Sequence, residues 1–339
     1  MGRVRHINIP VFIPHMGCPH ACIFCNQKRI SGSFSTQTPE NVRRLLEESF
    51  STVNDEDHVE IAFFGGSFTG IPEVEMISYL EEARPYIGNG RAKGIRLSTR
   101  PDAIDRHILS ILKDYGVTVI ELGVQSLDPD VLSMSQRGHS TEDVVTACAL
   151  IKEYGISLGI QTMLGLPGDS LEKSIETARE VIELRPDMVR IYPALVLKGT
   201  QMEDYYRNGS YKPLELEEAV EWCARILPLY REAGITVLRI GLQGSESLED
   251  SIVAGPYHPA FGELAESRIL LKKMTDKLDR MEADGKHGLI IRTLPELVSK
   301  IVGQNRSNIR KLKEKYGFKK IDVLTGPDYG EFSFEIINE

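Results

Sequence analysis

The strongest constraint on the fold is a regular alternation of short apolar runs and amphipathic stretches between residues 7 and 245. The apolar runs are INIPVFI (7–13), VEIAFF (59–64), GIRLST (94–99), VTVIELG (117–123), ISLGIQTM (156–163), MVRIYP (188–193) and ITVLRI (235–240). Such runs are typical of strands, and the stretches between them carry apolar residues three and four positions apart, as helices do. Alternating strands and helices pair in parallel through right-handed crossovers. Because no GxGxxG motif opens a first helix, the sequence predicts an α/β fold with a partial or complete parallel (β/α) barrel.

The alternation fades near residue 245, and the sequence predicts three segments. Residues 1–245 form the barrel, and residues 246–285 form a connecting segment that begins with many small and turn-forming residues. Residues 286–339 form a small α+β C-terminal domain. In it LIIRT, KKIDVL and EFSFEI have the character of strands, and ELVSKIVGQNRSNIRKLKEKYG indicates a basic amphipathic helix pair.

The charge of the chain is unevenly distributed. The 339 residues carry a net charge of −9, yet residues 286–320 hold seven lysines and three arginines against Glu296 and Glu314. A run of this kind is either the solvated face of a helix or a surface that binds nucleic acid. The sequence leaves both interpretations open.

The chain lacks the apolar run of about 18 residues that a membrane span needs, and prolines interrupt its N-terminal segment before a signal-peptide core forms. We therefore expect a cytoplasmic protein without a membrane partner. Three of the five cysteines lie within CPHACIFC at residues 18–25. An odd number of crowded cysteines in a chain of this size favours a metal site over a disulfide framework.

Two metal sites are compatible with Cys18, Cys22 and Cys25. A structural zinc site needs a fourth ligand, which His15 or His20 would supply. A [4Fe-4S] cluster has four iron corners, and three thiolates leave one iron able to bind an external ligand. The residues alone leave both possibilities open.

The spacing CxxxCxxC, with Phe24 before the third cysteine, resembles the radical S-adenosylmethionine (SAM) superfamily. The motif follows the first predicted strand, and barrel enzymes place their chemistry at the carboxyl ends of strands. The resemblance implies that Cys18, Cys22 and Cys25 bind a [4Fe-4S] cluster whose open iron binds SAM. It further implies reductive cleavage of SAM to a 5'-deoxyadenosyl radical, with an electron donor such as flavodoxin or ferredoxin.

Further segments fit the same resemblance. GGSFTG (65–70) is similar to the glycine-rich element that holds the SAM amino group, and RGH (137–139) corresponds to the segment that binds the SAM carboxylate. MLGLPG (163–168) and RIYP (190–193) are similar to segments that flank the adenine. The SAM-binding residues implied are Phe24, Gly65, Gly66, Ser67, Thr99, Arg100, Gln125, Arg137, Leu164, Gly165 and Tyr192. The candidate catalytic residues are Glu121, Tyr192 and Lys198, and we expect Glu121 and Gln125 to point into the mouth of the barrel.

Within the superfamily, the motifs STRPD, ELGVQS, RGH, GLPG and IYPALVLKGT (191–200) look like the radical-SAM module of the catalytic subunit of Elongator. That enzyme carboxymethylates wobble uridine in tRNA, so the resemblance implies a tRNA-modifying transferase. Two departures matter. The Elongator subunit spaces its first two cysteines farther apart, and its acetyltransferase domain is larger than the segment 246–339. The carboxymethylation chemistry is therefore not carried over.

Two alternatives stand beside this interpretation. Oxygen-independent coproporphyrinogen oxidase shares motifs like GVQS and RGH, so a small-molecule substrate is the runner-up. A zinc-stabilised RNA-binding protein is the alternative without catalysis. The tail segment IVGQNRSNIRKL weakly resembles the K-homology fold, although Arg306 stands where the second glycine of its GxxG loop belongs. We expect the basic tail to contact RNA through Arg306, Arg310, Lys311 and Lys313.

Overall fold

The computed structural model describes residues 5–13, 22–26, 38–54, 56–244, 246–282 and 288–337. Residue contacts divide the chain into two compact units. The first comprises Met1–Leu216 and Ile226–Tyr257, and the second comprises Glu217–Arg225 and His258–Glu339. His15, Cys18 and His20 lie outside the described residues.

The first unit is built on a seven-stranded sheet whose strands are all parallel. In the order of the sheet they are β1 (His6–Ile13), β2 (His58–Gly65), β3 (Gly94–Thr99), β4 (Val117–Gln125), β5 (Ser157–Leu164), β6 (Met188–Pro193) and β8 (Thr236–Ile240). The short strand β7 (Val196–Leu197) lies between β6 and β8 in the chain but is not part of this sheet. Each strand of the sheet begins and ends within two residues of the apolar run that predicts it. The prediction of a parallel α/β sheet is confirmed.

Helices connect the strands. They are α1 (Pro39–Phe50), α2 (Glu73–Gly88), α3 (Arg106–Asp114), α4 (Pro129–Met134), α5 (Thr141–Glu153), α6 (Leu171–Glu183), α7 (Gln201–Arg207), α8 (Leu216–Glu232) and α9 (Glu246–Glu249). Polar residues fix several starting points: the Thr38 hydroxyl accepts a hydrogen bond from the Asn41 amide, and Ser140 forms a capping box with Asp143. Strand β9 (Ile252–Ala254) pairs antiparallel with β7.

The sheet is a curled partial barrel. β2 and β6 are four strands apart, which corresponds to about 19 Å in a flat sheet at about 4.8 Å per strand. The Arg190 guanidinium on β6 nevertheless lies 5.8 Å from the centre of the Phe64 ring on β2. Within the described residues β1 pairs only with β2, and β8 pairs only with β6. The partial form of the predicted barrel is therefore the one observed.

The second unit combines a three-stranded sheet with helices. Its elements are α10 (Phe261–Arg280), β10 (Gly288–Thr293), α11 (Val298–Val302), α12 (Ser307–Tyr316), β11 (Ile321–Thr325) and β12 (Ser333–Ile337). β10 is central, with β11 parallel on one side and β12 antiparallel on the other. The core of this unit is formed by Leu270, Met274, Leu278, Leu289, Ile291, Ile301, Ile309, Leu312, Phe318 and Ile321.

No helix in the described ranges combines the length and the apolarity that crossing a bilayer requires.

Candidate active site

Two adjoining cavities lie at the carboxyl ends of the parallel strands. The first, which we call the polar cavity, has a volume of about 100 Å³ and is lined by Cys22, Phe24, Cys25, Gly65, Gly66, Ser67, Ser98, Thr99, Arg100, Gly123, Gln125, Arg137 and Gln161. The second, the apolar cavity, has a volume of about 280 Å³ and is lined by Phe12, Phe24, Cys25, Phe64, Gly65, Ser98, Gln125, Gln161, Met163, Arg190, Tyr192, Pro193, Leu195, Leu197 and Leu242. Phe24, Cys25, Gly65, Ser98, Gln125 and Gln161 line both, so the cavities share a wall.

Two of the three predicted cluster ligands lie within the described residues and line the polar cavity. Cys22 is buried and Cys25 is half-buried, and the Cys25 amide donates to the Cys22 carbonyl at 3.1 Å. Arg137 Nη1 lies 3.1 Å and Arg100 Nη1 lies 3.8 Å from Cys22 Sγ. These guanidinium groups place positive charge beside the sulfur, as an anionic metal–thiolate centre requires. The third predicted ligand, Cys18, lies outside the described residues.

The two arginines are held in place by other contacts. Arg100 forms a two-bond ion pair with Asp102, at 2.8 and 3.0 Å, and donates to the Arg137 carbonyl at 2.6 Å. Arg137 in turn donates to the Gly123 carbonyl at the end of β4. Arg137 Nε is buried without a hydrogen-bond partner among the described residues. A buried donor of this kind is costly unless a ligand satisfies it.

Gly65 and Gln125 have backbone conformations that residues with side chains rarely adopt. Gly65 has φ of +110°, and a Cβ on it would lie 2.7 Å from the Ile13 carbonyl oxygen. Only glycine therefore fits where β1 and β2 end together. Gln125, the last residue of β4, has φ of 71°, which is rare for a residue with a side chain. Its Oε1 is also buried without a partner in the described part of the chain.

Ser67 and Thr99 form a buried hydroxyl network on the wall of the polar cavity. Their hydroxyl oxygens lie 2.8 Å apart, and the Thr69 hydroxyl lies 2.6 Å from that of Thr99. The Ser67 hydroxyl also accepts from the Arg100 amide at 3.2 Å. This network fixes the segment after β2 against the segment after β3. These contacts explain how the wall is held together. The predicted role of Ser67 and Thr99 in binding SAM stays a prediction.

Glu121 lies in the interior of the barrel, and it lines neither cavity. It pairs with Arg190 through two contacts, Oε2 to Nε at 2.5 Å and Oε1 to Nη2 at 3.1 Å. Gln161 donates to it at 3.3 Å, and Arg96 Nη1 lies 3.9 Å away. Burial lowers the pKa of Arg190, but its hydrogen bond and charge pairing with Glu121 raise that pKa by more.

The remaining predicted residues occupy different surroundings. Tyr192 lines the apolar cavity, where burial raises its pKa. Leu164 and Gly165 are buried but line neither cavity, and the Gly165 carbonyl accepts from the Tyr211 hydroxyl at 2.6 Å. Lys198 is exposed, and its ammonium group donates to the Asp250 carbonyl at 2.6 Å. The roles assigned to these residues stay predictions.

Sequence reasoning missed three polar residues of the apolar cavity, Ser98, Gln161 and Arg190. Gln161 and Arg190 are directly paired in the register of β5 and β6. A signal was present, since each is a polar residue inside an otherwise apolar run, ISLGIQTM and MVRIYP.

The CxxxCxxC segment follows the first strand of a parallel partial barrel. Comparison with known protein families identifies the class of proteins that has this combination. The model of the radical SAM superfamily matches residues 12–181, and that of the radical SAM C-terminal domain matches residues 186–271. The first match covers half of the chain. The chain therefore belongs to the radical SAM superfamily.

Several curated proteins are similar to the chain. A tRNA uridine(34) acetyltransferase of Methanocaldococcus infernus is 30% identical over 245 residues, which cover 60% of this chain and 46% of that protein. A tRNA uridine(34) acetyltransferase of Dehalococcoides mccartyi is 28% identical, covering 72% and 62%. Human Elongator complex protein 3 is 30% identical, covering 64% and 48%. The chain thus spans about half the length of the curated relatives it matches.

The chain is also similar to solved structures. Archaeal Elp3 from M. infernus, with an N-terminal deletion, superposes with a TM-score of 0.62 and 25% identity, covering 81% of this chain and 64% of that chain. Coproporphyrinogen III oxidase (HemN) from Escherichia coli superposes with a TM-score of 0.51 and 18% identity, covering 68% and 53%. The second likeness concerns the fold alone.

Proposed function

We propose that the protein is a radical SAM enzyme that modifies RNA, with tRNA as the substrate. The observation that carries the proposal is the arrangement around Cys22, where Arg137 and Arg100 direct positive charge at the sulfur on the wall of a cavity. The proposed RNA substrate is supported by the relatives, two of which are named for tRNA uridine 34. In this proposal residues 1–245 carry the chemistry and residues 286–339 hold the RNA, while α10 of the connecting segment 246–285 completes the core of the second unit.

The residues around the polar cavity fit a [4Fe-4S] cluster and SAM. Three cysteines at this spacing supply three thiolate ligands, so Cys18, Cys22 and Cys25 would hold the cluster. The partnerless Gln125 Oε1 would accept from the amino group of SAM, and Arg137 Nε would donate to its carboxylate. When bound, the cluster and SAM supply a 5'-deoxyadenosyl radical by reductive cleavage, with an electron from a donor such as flavodoxin or ferredoxin.

The apolar cavity would receive the group to be modified. Its wall is mainly apolar, with Phe12, Phe64 and Met163 among the lining residues, so it excludes water from a reactive site. Gln161 and Arg190 give it a polar end. Because Glu121 holds Arg190 through two contacts, we assign Glu121 as a positioning residue for Arg190. The target base must leave its stack to reach such a cavity.

Anaerobic reconstitution with iron and sulfide tests the cofactor part of the proposal. Electron paramagnetic resonance should show a [4Fe-4S] signal that changes when SAM is added, and 5'-deoxyadenosine should accumulate under reducing conditions. Cys22→Ala should abolish both. Cys148→Ala is the matched control because burial raises the pKa of this α5 thiol to about 12, which makes it inert. Stoichiometric zinc without a brown chromophore would refute the proposal and favour a zinc-stabilised RNA-binding protein.

The substrate is tested separately. Modified nucleosides in total tRNA are compared between cells with and without the gene, and between cells carrying wild-type protein or Cys22→Ala. We expect one modified nucleoside to be lost in both deficient strains. Identical nucleoside profiles would contradict a tRNA substrate while leaving the cofactor chemistry in place.

A further inference from the structure

The four residues GQNR at 303–306, which we call the 303–306 loop, join α11 to α12 in the second unit. Three of them have positive φ: Gly303 at 74°, Asn305 at 51° and Arg306 at 59°. Glycine adopts this conformation freely, whereas Asn305 and Arg306 adopt it at a cost in free energy. Backbone strain of this kind persists only where the surrounding structure imposes it, and it is concentrated at functional sites.

The surrounding structure does impose it. The buried Asn308 side chain donates to the Ser267 carbonyl at 3.1 Å, the Ser267 hydroxyl at 2.9 Å and the Lys300 carbonyl at 3.0 Å. A Cβ on Gly303 would lie 2.6 Å from the Ser307 hydroxyl and 2.9 Å from the Asn308 amide nitrogen. Gly303 is therefore packed tightly against the start of α12, and Asn308 ties that start to α10 and α11. A ligand that binds it loses little free energy in ordering it.

The cations beside this loop have no acidic partners. Arg306, Arg310 and Lys311 are exposed, and their side chains form no hydrogen bond or ion pair with any described residue, although the Arg306 amide donates to the Gly303 carbonyl at 2.9 Å. At the other end of α12, by contrast, Lys315 pairs with Asp279 at 2.8 Å. The first turn of α12 carries no acidic residue. Cations near a helix N-terminus oppose the helix dipole, and a bound anion would relieve this conflict.

A cavity of about 260 Å³ opens beside the same loop, with Gly303 and Gln304 among its lining residues. Leu264, Val298 and Val302 form an apolar wall. Pockets for drug-sized ligands begin at about 300 Å³. The cavity therefore suits a single ring system rather than a base pair.

We propose that the 303–306 loop and this cavity bind one nucleotide of a single-stranded RNA segment, with its phosphate on Arg306 and its base in the cavity. Arg310 and Lys311 would contact the neighbouring phosphates. A single strand is required because the faces of paired bases are stacked within a helix and cannot enter a cavity. The inference rests on the proposed RNA substrate and specifies where the second unit holds it.

Replacement of Arg306 by glycine separates a binding role from a structural one. Arg306→Gly removes the charge and places at φ 59° the residue that tolerates this conformation best. We expect the melting temperature to stay the same or rise, while the affinity of the full-length protein for single-stranded oligouridylate falls several-fold. The slope of log Kd against log salt concentration should decrease by about 0.7, as for one phosphate contact. Arg306→Lys should restore most of the slope.

Two further variants complete the experiment. Ser299→Phe fills the cavity and should weaken the binding of single-stranded oligouridylate. The binding of a duplex of oligouridylate and oligoadenylate should stay unchanged. Arg280→Ala removes an equal charge at the C-terminal end of α10 and should leave both binding curves and both salt slopes unchanged.

The outcomes distinguish this inference from the proposed function. If wild-type protein binds neither oligouridylate nor tRNA, the RNA substrate is refuted and this site with it. If it binds them but Arg306→Gly has wild-type affinity and slope, only the nucleotide site is refuted. A melting temperature that falls together with affinity would show that Arg306 is structural and would also overturn the inference. Equal losses of single-strand and duplex binding in Ser299→Phe would rule out a base in the cavity.

Discussion

Removal of the Glu121 charge tests whether the interior of the barrel is dry. The Glu121 side chain is 1% exposed and that of Arg190 is 15% exposed, and the two form a two-bond ion pair. Glu121→Gln keeps the shape but leaves the charges of Arg190 and Arg96 without their shared carboxylate. Removal of one member of a buried pair costs about 3–5 kcal/mol. Because Arg190 keeps some contact with water, we expect about 3 kcal/mol, the lower end of that range.

Urea unfolding followed by circular dichroism gives the change in the free energy of unfolding between wild type and variant. A loss of about 3 kcal/mol corresponds to a melting temperature lowered by about 6–12 °C for a unit of this size. Glu153→Gln is the matched control, because Glu153 forms an equally close pair with Arg106, at 2.6 and 2.8 Å, between side chains that are 54% and 62% exposed. An exposed pair contributes about 0–1 kcal/mol.

The double variant Glu121→Leu/Arg190→Met completes the cycle. It removes both charges, so we expect it to be more stable than Glu121→Gln although it changes more atoms. A dry, buried ion pair is refuted if Glu121→Gln loses no more stability than Glu153→Gln. It is also refuted if the double variant is as unstable as Glu121→Gln, since packing rather than an unpaired charge would then explain the loss.

Two further predictions concern the first unit. Gly65→Ala places a Cβ 2.7 Å from the Ile13 carbonyl oxygen at φ +110°, so we expect a loss of about 1–3 kcal/mol in urea unfolding together with loss of SAM binding; unchanged stability would contradict it. Burial, together with the charges of Arg137 and Arg100, lowers the pKa of His139 from 6.5 to about 4. Between these values the unfolded chain binds a proton that the folded chain does not, so stability falls by up to about 3 kcal/mol as pH drops from 6.5 to 4. His139→Phe should flatten this part of the stability profile, and an unchanged profile would show that other groups cause it.

The parallel sheet could be predicted from the sequence because its central strands β2, β3 and β4 are buried on both faces and read as nearly continuous apolar runs. GIRLST and MVRIYP coincide with β3 and β6 in full. The cysteine segment indicated the family equally well, since the three cysteines have three and two residues between them and this spacing can be recognised locally; their role as cluster ligands stays a prediction.

The interior of the barrel could not be predicted in this way. Glu121 and Arg190 are 69 residues apart in the chain, and their pairing depends on the curl of the sheet, which no local pattern specifies. For this reason Glu121 was expected at the mouth of the barrel, whereas the structure places it in the interior. Lys198 was selected from its position after β6, but its exposure depends on how the following segment folds back towards Asp250.

The pairing of Glu121 with Arg190 has a consequence for evolution. A lineage that loses one residue first would pass through an intermediate destabilised by about 3 kcal/mol, so the two positions are difficult to change one at a time. Replacement of Glu121 and Arg190 then requires that both change together, or that earlier substitutions elsewhere raise the stability enough for the intermediate to remain folded.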